Sequence, residues 1–142
     1  MNSLKVADYM KTRPVHLNAE MTLEAAVDLL TAAGALGGPV LNSQHQVIGF
    51  ISEQDCLSRL LLTSYHDEGL AYVREVMRPE VLTVHTDSSI IELAQQMLGA
   101  KPKIYPVVDD AGVLQGVISR SDVLRAISEE LHSHYHAPAK AG

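Results

Sequence analysis

The sequence predicts a mixed α/β (α+β) fold made of two β-α-β-β-α repeats packed about a pseudo-twofold axis. Three observations carry this expectation. Sliding the chain by 67 residues without a gap brings identical residues together at ten places, among them Val6/Val73, Met10/Met77, Pro39/Pro106 and Leu57/Leu124, and such self-similarity marks a repeat. The spacing i, i+3, i+4, i+7 of Leu23, Ala26, Val27 and Leu30 recurs at the same offset in Ile90, Leu93, Ala94 and Met97, as one face of a helix requires. The frame Gly-x-Ile-Ser-x-x-Asp occurs twice, as GFISEQD at 49–55 and GVISRSD at 116–122.

Each repeat reads in the same order. A lead-in helical turn (LKVADYM at 4–10, AYVREVM at 71–77) precedes a short extended piece, PVHL at 14–17 and VLTV at 81–84. Helices follow over about 22–33 and 89–100, the second opened by the capping box of Ser89 and Glu92. The short apolar runs PVL and PVV, then turn residues, then VIGFIS and LQGVIS read as two hairpins. A last helix begins near Glu53 and near Arg120. The expected domains are a first repeat over 1–68, a second over 69–131, and a flexible histidine-containing tail over 132–142. One repeat of about 60 residues is marginal as an independent core, so the two halves are expected to form one domain.

The composition sets bounds on function. With 46% hydrophobic residues among 142, the chain can bury a core. Few aromatics mean that core is aliphatic. A formal net charge of −6 disfavours non-specific binding to nucleic acid or an anionic membrane, and no apolar run is long enough to span a bilayer. The single cysteine, Cys56, cannot make an intrachain disulfide. A cytoplasmic protein with no nucleic-acid or membrane partner is expected.

The repeated septet has two physical readings. Ser52 and Ser119 can cap the helix that follows, accepting from the N–H three residues on, with Asp55 and Asp122 near the positive helix end. The same strand-to-helix junction can aim N–H groups at a phosphate. There the Ser hydroxyl would donate to phosphate, the Asp would accept from the vicinal hydroxyls of a ribose, and the Gly would let the ligand approach. Anionic phosphates favour the second copy, which carries Arg120 in the septet and Lys101 and Lys103 nearby. The first copy has Glu53 in place of Arg120 and the cation-free GALGGPV.

The doubled β-α-β-β-α order, the PV before each turn and the doubled septet resemble a tandem pair of cystathionine β-synthase (CBS) domains, a Bateman module, over residues 3–131. The resemblance implies clefts that bind adenosyl ligands: AMP, ADP, ATP, S-adenosylmethionine or NAD. In the second copy it implies Ser119 and Arg120 for phosphate, Asp122 for ribose, and Ile104, Tyr105 and Pro106 beside the base, with Lys103 and Thr83 completing the set. In the first copy it implies Ser52 and Asp55, with Gly37, Gly38 and Pro39 at the base. His16 stands where Thr83 has its counterpart, so the first copy departs from the pattern and is the weaker site.

Other residues carry no chemistry in this reading. Cys56 is expected in the core. His132 and His136 are four residues apart, a spacing compatible with a metal, but no Cys or carboxylate cluster accompanies them, and no metal is expected. No nucleophile-base-acid order is present. The expected function is therefore regulatory, not enzymatic: an adenosyl-ligand sensor that forms a homodimer and acts in trans on a separate effector protein. The alternative is a ligand-independent dimerisation or scaffold module with vestigial clefts.

Overall fold

A computed structural model describes residues 4–66, 69–99 and 101–135. It divides into two compact units. One comprises residues 13–82 and 111–114, the other residues 1–12, 83–110 and 115–142.

In the first unit, β1 (Leu17–Asn18), β2 (Gly37–Leu41) and β3 (Val47–Ser52) form one sheet in that order. β1 runs parallel to β2, with Leu17 opposite Val40, and β2 runs antiparallel to β3, with Gly37 opposite Ser52. Helix α1 (Leu23–Ala33) is capped by Thr22, whose hydroxyl accepts from the Ala25 N–H at 3.2 Å. It buries Leu23, Ala26 and Leu30, the inward positions of the predicted 3.6-residue period. Helix α2 (Glu53–His66) continues directly from β3, and the short helix α3 (Val73–Val76) closes the unit. Leu17, Leu23, Ala26, Val40, Ile51, Cys56 and Val73 share one core. Cys56 lies inside it as expected, and burial, together with the charge of Asp55, raises its thiol pKa.

The second unit repeats the plan. β4 (Val84–His85), β5 (Ile104–Val108) and β6 (Leu114–Ser119) form its sheet, with β4 parallel to β5. Helix α4 (Ile90–Met97) starts at Ser89, whose hydroxyl accepts from the N–H groups of Ile91 and Glu92. Helix α5 (Arg120–Tyr135) follows β6. Val6, Ile90, Leu93, Tyr105, Val107, Ile118 and Ala126 are central to this core.

The lead-ins are placed crosswise. The turn at Val6–Asp8 and the extended Lys11 pack on the second repeat's sheet, where Lys11 and Val117 exchange N–H···O bonds of 2.8 and 3.0 Å. The matching lead-in, α3 and Arg78, packs on the first repeat's sheet, where Arg78 and Phe50 exchange bonds of 2.8 and 2.9 Å. The glycines of the septet make this possible. A Cβ on Gly116 would stand 2.5 Å from the Lys11 carbonyl oxygen, and one on Gly49 would stand 2.5 Å from Met77 Sδ and 3.1 Å from the Arg78 oxygen.

Some boundaries differ from the sequence expectation. The first strand of each repeat begins later and is shorter than PVHL and VLTV suggest, because its ladder holds only two residues against β2 or β5. Helix α4 ends at Met97. Helix α5 continues to Tyr135 past the expected start of the tail at 132, so His132 and His134 are helical. The turn before that point carries the i, i+4 ion pair of Arg125 and Glu129. His136 lies outside the described residues. No helix among the described residues is long and apolar enough to cross a membrane.

Candidate functional site

Each septet ends a strand and begins a helix, and local hydrogen bonding fixes its Ser and Asp. In the second copy, the Ser119 hydroxyl accepts from the Asp122 N–H at 3.2 Å and donates to Asp122 Oδ2 at 2.9 Å. The Ser119 N–H donates to the same Oδ2 at 2.9 Å. This is a reciprocal cap with Asp in the place usually held by Glu. Asp122 is 1% exposed, and a carboxylate so buried needs charged partners. It has two: Arg125 Nη1 at 3.4 Å and Lys11 Nζ at 3.7 Å, both on Oδ1.

The first copy has the same cap, with Asp55 N–H to Ser52 Oγ at 3.0 Å and Ser52 N–H to Asp55 Oδ2 at 3.2 Å. Its cation is Arg78, which holds both carboxylate oxygens at 3.1 and 3.3 Å. Burial raises the Asp55 pKa, but hydrogen bonds from Arg78 and Ser52 outweigh it, and the net shift is downward.

Lys11 and Arg78 did not emerge as site residues from the septet. They stand 67 residues apart, each directly after a matched methionine, and this conservation of charge rather than identity was the available signal.

The junction differs between copies in a way that bears on phosphate. The Arg120 N–H donates to the Lys103 carbonyl at 2.8 Å, so two residues with exposed cationic side chains meet where β5 begins and α5 starts. At the same point of the first copy, Glu53 N–H donates to the Leu36 carbonyl at 2.8 Å, and an acid stands beside an apolar residue. In both copies the first helical N–H is thereby occupied.

The remaining candidate residues divide between surface and core. Thr83 is exposed just before β4, and Ile104 is half-buried at the start of β5. Pro106 is buried in the same strand. Tyr105 is 1% exposed within the hydrophobic core, and its hydroxyl has no hydrogen-bond partner among the described residues. Burial raises its pKa. Its ring therefore serves the core.

Gly37, Gly38 and Pro39 lie in β2. Cβ atoms at the two glycines would meet the Ile51 oxygen at 2.8 Å and the Val15 oxygen at 3.1 Å, so close strand packing accounts for both. His16 is exposed before β1. It lines a pocket of about 480 Å³ with His45, Asn18, Asn42 and Ser43. Among the described residues, no group of three or more His, Cys, Asp or Glu is placed to hold a metal ion.

Comparison with known proteins agrees with this architecture. The model of the CBS domain matches twice, at residues 6–62 and 73–129. The A-adding tRNA nucleotidyltransferase of Aquifex aeolicus is 30% identical over 128 residues, which cover 90% of this chain and 15% of that enzyme. The chain spans 43% of another curated relative, the uncharacterized protein MJ1232 of Methanocaldococcus jannaschii. Among solved structures, the CBS-pair protein CBSX2 from Arabidopsis thaliana superposes with a TM-score of 0.77 at 25% identity, covering 90% of this chain and 96% of that one. CBSX2 in complex with AMP gives 0.76 at 27%, covering 89% and 98%. With both repeats matched along most of its length, the chain belongs to the CBS domain family as a tandem pair.

Proposed function

We propose that this chain is a regulatory module that senses an adenine nucleotide or other adenosyl ligand and has no catalytic activity of its own. The observation that carries the reading is the AMP complex of CBSX2, a CBS pair with which the chain shares its fold and 27% identity over the aligned residues. The second-copy site is the stronger candidate. Its junction joins Arg120 to Lys103, and cations there suit a phosphate. The Asp122 Oδ1 contacts are the longer ones, at 3.4 and 3.7 Å, whereas a ribose at Asp55 must displace a guanidinium that holds both oxygens. The module acts in trans on an effector protein and pairs with a second copy. Exposed Leu57 and Leu61 on α2 supply apolar surface for that pairing.

The ligand-independent scaffold is the second reading, and one observation favours it: the septet serines and aspartates already bond to each other at their own helix starts. Thermal unfolding with AMP, ADP, ATP, S-adenosylmethionine and NAD separates the two. A ligand at a hundredfold excess over Kd stabilises by about 2.7 kcal/mol. We expect at least one of the five to raise the midpoint, and Asp122→Ala to lose more affinity for it than Asp55→Ala. No shift with any of them, confirmed by calorimetry, would leave the scaffold. Equal losses, or a greater loss at Asp55, would reverse the ranking of the sites.

A further inference from the structure

Two histidines mark places where the first repeat departs from the second. His16 stands opposite Thr83 in the 67-residue alignment, and His45 stands opposite Gly112. Both histidines line the same pocket, with ring centroids 6.4 Å apart and planes at 62°.

His45 is held there against its backbone preference. Its φ is +63°, in the left-handed region, and Gly112 has φ +80° at the matching turn position. Glycine occupies such a turn without steric cost, whereas a β-carbon is disfavoured. Strain of this kind, retained where glycine would relieve it, points to a role for the side chain. The surrounding bonds fix the position: His45 N–H donates to the Asn42 carbonyl at 3.0 Å, and the His45 carbonyl accepts from Leu114 N–H at 3.0 Å.

His16 is oriented as a ligand would be. Its Nδ1 lies 3.3 Å from the Pro14 carbonyl oxygen. A carbonyl can only accept, so Nδ1 is the donor in that bond, and Nε2 is the nitrogen left to face a ligand. Metal-binding histidines commonly donate their other ring nitrogen to a backbone carbonyl in this way, which fixes the ring's orientation. Among the described residues, the pocket lining carries no lysine, arginine or carboxylate, so no fixed charge there repels a cation or competes for one.

From this geometry we propose that His16 and His45 form a two-imidazole site for a divalent transition metal of the zinc or nickel class. Imidazole suits these metals. Two imidazoles on a tetrahedral zinc, with Zn–N bonds of about 2.0–2.1 Å, place their centroids roughly 5 Å apart. Both rings are on exposed residues, and a closure of about 1 Å is within side-chain rotation. The two remaining positions of a tetrahedral ion are left to water or an exogenous ligand.

The test is calorimetric titration of ZnCl2, without nucleotide, into the full chain carrying His132→Ala, His134→Ala and His136→Ala. Those changes remove the C-terminal imidazoles as competing ligands. One equivalent of zinc is expected to bind, and adding either His16→Thr or His45→Gly is expected to weaken the Kd at least tenfold. Each substitution installs the residue that the second repeat carries at the same place, and circular dichroism confirms folding. Absence of binding in the parent chain, or an unchanged Kd in either variant, would overturn the two-imidazole site. Neither outcome bears on the adenosyl-ligand reading, because no nucleotide is present.

Discussion

Asp55 leaves 16% of its side chain exposed and takes both arms of Arg78, whereas Asp122 is 1% exposed and meets Lys11 at 3.7 Å. For Asp55 the consequence is a dependence on pH. Its folded-state pKa lies below the ordinary 3.8, since hydrogen bonds from Arg78 and Ser52 overcome the opposing effect of burial. The unfolded chain therefore takes up the proton first on acidification. The stabilisation is complete well above pH 3.8 and is lost as pH falls through the lowered folded value. Asp55→Asn keeps an oxygen for the Ser52 N–H and removes the charge. We expect it to cost about 0.5–1 kcal/mol at pH 7, with the difference from wild type vanishing as urea unfolding is repeated down from pH 4. A difference constant over that range would show that the charge does not matter. The caps were legible in the sequence because Ser and Asp lie three residues apart. The cations on the aspartates were not, because Arg78 is distant from Asp55 and Lys11 is farther still from Asp122. The burial of the Tyr105 ring was not legible for a related reason. Strand β5 buries Tyr105, Pro106 and Val107 in succession, so alternation does not say which side chain faces a ligand.

At the level of elements, the strand that carries each septet is shaped by the lead-in lying against it. The first atom that a Gly116 side chain would meet is the Lys11 carbonyl oxygen, a backbone atom that can retreat only by giving up the paired bonds to Val117. The first atom at Gly49 is the sulfur of Met77, near the end of a flexible side chain. We therefore expect Gly116→Ala to destabilise by about 1–3 kcal/mol, as overpacking does, and Gly49→Ala to cost less, both read from denaturant midpoints at unchanged m-value. The reverse order would show that the lead-in over β6 yields more easily than Met77. The sequence showed that glycine was wanted at both places, and close packing was one of its two readings. It could not show what does the packing, since the neighbour is a backbone segment from the other end of the alignment. The helices were more legible than the first strands. A helix writes its period over eleven residues in α1, whereas β1 and β4 have two residues each.

On the scale of the whole molecule, a compact unit is not a contiguous repeat. Residues 1–12 belong with 83–110 and 115–142, while 13–82 belong with 111–114. Leu4 and Val6 are buried in the second unit's core, Val6 completely. Burying one such side chain contributes about 1.5–3 kcal/mol. Deleting residues 1–12 should therefore weaken the second repeat selectively. In hydrogen exchange, amides of Val117 and Ile118 are expected to lose at least tenfold protection while Val40 and Ile51 keep theirs. Uniform loss across all four would mean that the lead-in supports the chain as a whole. The 67-residue periodicity announced two units of one plan, and it correctly paired their helices and hairpins. It was silent on the exchange of lead-ins, because an alignment of a chain with itself records likeness and not adjacency.

That exchange bears on how such a chain could arise. A lone repeat with one lead-in would present an uncovered septet strand and a segment shaped to cover another. It could satisfy both only by trading segments with a second molecule, which is domain swapping between identical partners. A chain that carries two such repeats makes both exchanges within one molecule. Two half-chains divided between residues 68 and 69 should, on this account, recognise each other.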